Sequence, residues 1–184
     1  MDVIRKKLQK FSNVIYVFAK IGYVASIVGV CLCGCALLWT ILLGSPSASV
    51  ELGEVTIAGF MKENGMNLAE ACGTLAYALT YCAFLIAVMR LIMRLFANMR
   101  DQYTPFTTEN ASLFKRVAIW MIVASIVPAT VGQAVGHGCA KLMSLPFSAE
   151  YGDGFSMVIV LLFFAMSMVF QYGCALQEQA DTTL

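Results

Sequence analysis

The side chains best suited to chemistry are five cysteines, one histidine and one glutamate. Cys31, Cys33 and Cys35 form a tight C-L-C-G-C cluster, and Cys72, Cys139 and His137 fall toward the same half of the apolar segments described below. Thiols and imidazole at such positions suit a metal, a haem or thiol redox exchange. A helix, however, puts Cys31 and Cys35 on one face and Cys33 nearly opposite, so the three cannot converge on one metal while the helix stays regular. Cysteine also packs as a small buried hydrophobe, and none of the seven shows the paired loop spacing of a zinc ribbon or disulfide framework. No metal site and no cofactor is assigned. A disulfide between Cys72 and Cys139 stays open.

Glu70 and His137 stand near corresponding ends of two consecutive apolar segments, so they could approach each other. A carboxylate beside an imidazole favours the charged ring and makes the pair respond to pH. That would be an outward-facing proton or ligand site. The plainer alternative is two helix-end residues in contact with water. Lys20 lies at a segment boundary, where its stem can carry the ammonium to the headgroups. No phosphate loop, nucleophile elbow or H-E-x-x-H motif is present, and one histidine cannot serve a scheme that needs two. The expectation is a protein that is not an enzyme.

What positions these residues is set by composition. Of 184 residues 60% are hydrophobic and 12% charged, against roughly 25% charged in soluble domains. The bilayer must be the solvent. The uncharged block 21–43 is 23 residues long, about 34 Å as a helix, enough to cross a hydrocarbon core of about 30 Å. Although the S-P-S-A-S run at 45–49 resembles a signal cleavage site, the block is too long for a signal core and further spans follow. Comparable spans are predicted at 68–89, 117–135 and 155–177, the third kinked by Pro128. The predicted fold is all-α, a polytopic membrane protein built as a single four-transmembrane-helix bundle.

Residues 1–20 form an amphipathic basic N-terminal helix, with Ile4, Leu8, Phe11, Ile15 and Phe18 as its apolar stripe and Arg5, Lys6, Lys7 and Lys10 at its start. It either docks on anionic lipid or continues into span one as a topology signal. The loop 44–67 has a candidate short strand pair or irregular cap at 50–57, and the second outer loop is 136–154. The link 90–116 begins as a helical extension carrying Arg90, Arg94 and Arg100, breaks before Pro105, and restarts with Thr107 as a cap and Glu109 in the first turn. Gly132 and Gly136, like Ala69 and Gly73, permit close helix approach within the chain or in a homo-oligomer.

Ten of the twelve Lys and Arg residues lie before span one or around the 90–116 link. Because positive charge is retained inside, both termini and that link are expected in the cytoplasm, with the tail 178–184 returning there. With a net charge of +1, direct nucleic-acid binding is not expected.

Two cytoplasmic segments carry a resemblance. Tyr103-Thr104-Pro105-Phe106-Thr107-Thr108-Glu109-Asn110, followed by Leu113 and Lys115-Arg116, resembles the "PFT-x-x-N, then basic residues" entry to the third helix in a family of bacterial four-span membrane proteins of unknown function. The ending from Gly173 through Leu176, Gln177 and Asp181 to Leu184 looks like that family's closing "G-x-x-L-Q-x-E-x-D-x-T" pattern. Its members are often encoded beside a very small helix-turn-helix transcription regulator. The resemblance implies a bacterial plasma-membrane protein that senses something and restrains or signals to a cytoplasmic partner. Thr104, Pro105, Phe106, Thr107, Asn110, Arg94, Arg100, Glu178 and Asp181 would form that partner surface, or a clasp in which Glu178 and Asp181 dock onto Arg94, Arg100 or Lys115. Two other functions remain. One is a small transporter or channel-like bundle with Pro128, Glu70 and His137 along a polar path; the other is a membrane redox protein using Cys31, Cys33, Cys35, Cys72 and Cys139.

Overall fold

The structure is a computed structural model that describes residues 2–43, 66–102, 107–152 and 157–182. The candidate cap at 50–57 and Thr104, Pro105 and Phe106 lie outside the described residues. Among the described residues the chain is all-helical: α1 (Asp2–Leu43), α2 (Leu68–Gln102), α3 (Thr108–Met143) and α4 (Met157–Thr182). Each contains a stretch long and apolar enough to cross a membrane, namely Gln9–Thr40, Leu68–Asp101, Thr108–Met143 and Met157–Leu176. This is an integral membrane protein with four candidate spanning helices.

The lead-in and span one form one uninterrupted helix of 42 residues, about 63 Å long at the helical rise. Its buried seam differs from the amphipathic stripe read in the sequence. Ser12, Ala19 and Ser26 are buried, whereas Phe11 and Phe18 are exposed; the side chains of Ile4 and Leu8 lie outside the described residues. The reason is the solvent. Where lipid rather than water surrounds the helix, large apolar groups are as content outside as inside, and small residues let backbones approach.

The chain divides into two compact units. The first, here the basic unit, comprises Met1–Ala25, Phe84–Ala124 and Phe155–Leu184 and so draws on all four helices. Its core has two parts. In one, Val88, Val117, Ala118, Met121 and Val160 pack together; in the other, Leu95, Met99, Ala111, Leu113, Phe114 and Phe170 do so. α4 therefore lies along the second half of α2 and the first half of α3. Two hydroxyls tie the helices further: Ser12 donates to the Phe96 carbonyl, and buried Ser167 donates to the Ala111 carbonyl at 2.9 Å.

The second, here the strap unit, comprises Ser26–Ala83 and Ser125–Gly154. Its described part is three helix segments and the non-helical strap 144–152. Gly29 of α1 lies against Cys82 and Gly34 against Leu79 of α2. Gly73 of α2 meets α3 backbone to backbone: a Cβ added there would sit 3.0 Å from the Gly132 carbonyl oxygen and 3.1 Å from the Gly136 Cα. The small-residue spacing thus serves contact within the chain.

Candidate functional site

The strap is launched by the end of α3. Ser144 has φ 55, a left-handed conformation that normally favours glycine, and the Leu145 N–H bonds the Ala140 carbonyl at 3.0 Å. These are the features of a Schellman cap, which reverses the chain and satisfies a terminal carbonyl. The chain then runs back along α3.

Its landing points are glycines. The Phe147 ring rests on Gly136, where a Cβ would collide with it, and the Tyr151 ring lies over Gly73 and Gly132. Tyr151 stacks on Tyr77 at 4.9 Å and 9°, and Tyr77 on Tyr81 at 5.9 Å and 12°. Burial pushes the Tyr151 phenol above its ordinary range; the Thr74 hydroxyl opposes this and the Glu70 carboxylate adds to it. Tyr151 is consequently a neutral hydroxyl at physiological pH.

The start of α2 latches the strap. Asn67 caps the helix by accepting the Glu70 N–H at 2.9 Å, while Glu70 accepts the Asn67 N–H at 3.0 Å, a reciprocal capping box. The same two side chains reach the strap. Asn67 donates to the Pro146 carbonyl at 2.6 Å, and Glu70 accepts from the Ser148 hydroxyl at 2.9 Å and its N–H at 3.3 Å. Gln133 donates to the Ala149 carbonyl at 2.9 Å, and Tyr77 to the Gly152 carbonyl at 3.4 Å. Between strap and α2 lies an open cleft of about 480 Å³, lined by Met66, Glu70, Thr74, Tyr77 and residues 148–152. Its walls carry two carboxylates, Glu70 and Glu150, together with hydroxyls and carbonyl oxygens. The cleft is rich in acceptors and contains no cationic side chain among its lining residues.

Glu70 and His137 do not pair. The exposed His137 ring packs edge-on against Phe147 at 4.6 Å, while the Glu70 carboxylate is taken up by Asn67 and Ser148. The two side chains instead take different residues of the strap as partners, Phe147 for His137 and Ser148 for Glu70. Pro128 is buried within α3. Among the cysteines, Cys31 and Cys35 are exposed and Cys33 is half-buried, while Cys82 lies against Gly29, one turn before Cys33. Cys72 and Cys139 lie in mutual contact. No group of three or more His, Cys, Asp or Glu that could hold a metal occurs among the described residues.

In the basic unit, Thr107 caps α3 through its hydroxyl, which accepts the Asn110 N–H at 3.2 Å, and Asn110 is fully buried. Arg94 pairs with Glu109 at 3.5 Å and Arg100 with Asp101 at 2.9 Å. Arg100 also lies over the Tyr16 ring at 5.6 Å. The ion pairs seen for the two arginines are thus with carboxylates of α3 and α2. Glu178 is exposed on α4, and the Asp181 side chain lies outside the described residues.

Sequence reading missed Asn67, Tyr77, Gln133, Phe147, Ser148 and Tyr151. One signal was available: N-x-x-E at 67–70 has the form of a capping box, which dates the helix start to Asn67. Nothing local marks Phe147 and Tyr151, since their role depends on glycines elsewhere in the chain. Comparison with protein-family models, with curated proteins and with solved structures gives no match.

Proposed function

We propose that this membrane protein acts by binding, as a sensor whose strap cleft takes a small cationic or amine-bearing ligand. The observation that carries this reading is the double duty of Glu70, which starts α2 and holds Ser148 at the mouth of an acceptor-lined cleft. A cationic group entering beside Glu70 and Glu150 forms charge-assisted hydrogen bonds, stronger than the neutral donor of Ser148. It therefore competes for the Glu70 oxygen and loosens the strap. The chain is a binding protein and not an enzyme on this reading, with the bacterial plasma membrane as its location and the strap facing outward.

The readout is a cytoplasmic protein, in keeping with the family resemblance and the small helix-turn-helix regulator associated with it. Capping by Thr107 and burial of Asn110 are structural duties, so among the described residues the accessible part of that surface is Arg94, Arg100, Lys115, Arg116 and Glu178. Such a face suits an acidic partner.

The test uses the full chain in lipid nanodiscs and a short alkyl diamine as probe, with calorimetry as readout. Saturable binding that is lost in Glu70→Gln, while Arg94→Ala binds normally, is the expected result. Absence of saturable binding, or equal binding by Glu70→Gln, removes the ligand reading.

A further inference from the structure

α2 and α3 approach each other backbone to backbone where Gly73 faces Gly132 and Gly136. Cys72 is the residue before Gly73, and Cys139 lies three residues beyond Gly136, just under one turn along α3. The glycine contact therefore sets the two cysteines facing each other across the helix pair, with their thiols within hydrogen-bond reach. Disulfides need Cα atoms roughly 4.4–6.8 Å apart, and the glycine contact is what draws the two backbones close at this point. The two thiols differ in access. Cys72 is 3% exposed, whereas Cys139 is half-buried.

We infer that Cys72 and Cys139 are a redox pair that closes to an intramolecular disulfide beneath the strap.

The chemistry is thiol–disulfide exchange with a small-molecule disulfide as oxidant. Cys139, the reachable thiol, loses its proton to solvent and attacks one sulfur of the oxidant, which releases one thiolate and leaves a mixed disulfide on Cys139. Cys72 then gives up its proton and attacks the Cys139 sulfur, expelling the second thiolate. Two cysteine thiols and one disulfide become one protein disulfide and two small thiols, so protons and electrons balance. The orientation implied by the charge asymmetry places this end outside the cytoplasm, where disulfides persist. The new bond joins α2 to α3 beside Gly136, the seat of Phe147, and so holds together the surface on which the strap lands. It needs no ligand in the cleft, and neither reading depends on the other.

Cys33 and Cys82 supply an internal control. Cys82 lies against Gly29, one turn before Cys33 on α1, and is ten residues deeper along α2 than Cys72, in an apolar stretch where forming a thiolate is costly.

The full chain, purified reduced in mild detergent, is treated with oxidised glutathione, alkylated, digested and mapped by mass spectrometry. A peptide linking Cys72 to Cys139 within one chain is expected, with two fewer alkylated thiols than in the reduced protein. In Cys72→Ser the glutathione adduct should persist on Cys139; in Cys82→Ser the Cys72–Cys139 link should still form. Protease cleavage within the strap should slow after oxidation and recover on reduction. The inference is overturned if wild-type Cys139 stays glutathionylated while Cys72 is free, if both thiols remain unmodified, or if cross-links join separate chains only.

Discussion

The two units of this protein are held by opposite means. The basic unit packs large side chains, with Leu95, Val117, Phe114 and Phe170 interlocking across α2, α3 and α4 and the Phe114 and Phe170 rings 4.7 Å apart. Among its described residues the strap unit sets nine non-helical residues beside its helix segments and depends on glycines, tyrosine stacking and hydrogen bonds. The difference follows from what each must bury. A helix satisfies its own backbone, so it needs only shape on its neighbours. A non-helical segment has no ladder of its own for its carbonyls and N–H groups, so side chains of the neighbouring helices take several of them up. Asn67, Gln133, Tyr77 and Glu70 do so. The cohesion of the strap is therefore specific and locally breakable, while that of the basic unit is diffuse.

The sharpest way to break this contrast is Gly73→Val. Its added atoms meet the Gly132 and Gly136 backbone as well as the Tyr151 hydroxyl, and backbone cannot move aside as a flexible side chain can. We expect a loss of about 3 kcal/mol, at the upper end of overpacking costs, read as a lower unfolding midpoint in detergent together with rapid protease cleavage of the strap. Leu95→Ala should cost about 2–3 kcal/mol through the cavity it leaves, yet leave strap cleavage unchanged. Equal strap cleavage in the two variants would erase the distinction between the units.

A smaller effect is expected from Asn67→Ala, which removes the cap of α2 and the bond to Pro146 together. The loss should be about 1–2 kcal/mol, and amide hydrogen exchange should rise in the first turn of α2 and in the strap but not at 88–99. Exchange confined to α2 would mean that the strap is held by its aromatic rings alone. The smallest effect belongs to Arg94→Ala. Its pair with Glu109 is exposed on both sides, so the change in stability should stay within about 0.5 kcal/mol, and a larger loss would show that charge helps hold the basic unit.

The membrane class, the four apolar helices, the cap at Thr107 and the opposed faces of Cys31 and Cys33 were legible from residue type and spacing. Each depends on local periodicity or on the cost of charge in lipid, and both are properties of short stretches. The identity of the buried face of α1 was not legible, because lipid removes the rule that large apolar residues point inward; Phe18 and Ala19 exchange roles on that account. Nor was the separation of Glu70 from His137. It arises because the strap that begins after Met143 supplies Phe147 to His137 and Ser148 to Glu70, where the glycines at 73, 132 and 136 leave room for its rings. The sequence by itself determined that this chain lives in a bilayer, that it has four apolar helices, and that Thr107 caps α3. Only the tertiary structure decided that α4 lies along the basic unit, that a non-helical strap rests on the glycine contact, and that Cys72 meets Cys139. Those outcomes depend on contacts between residues distant in the chain, whose energies no local pattern records.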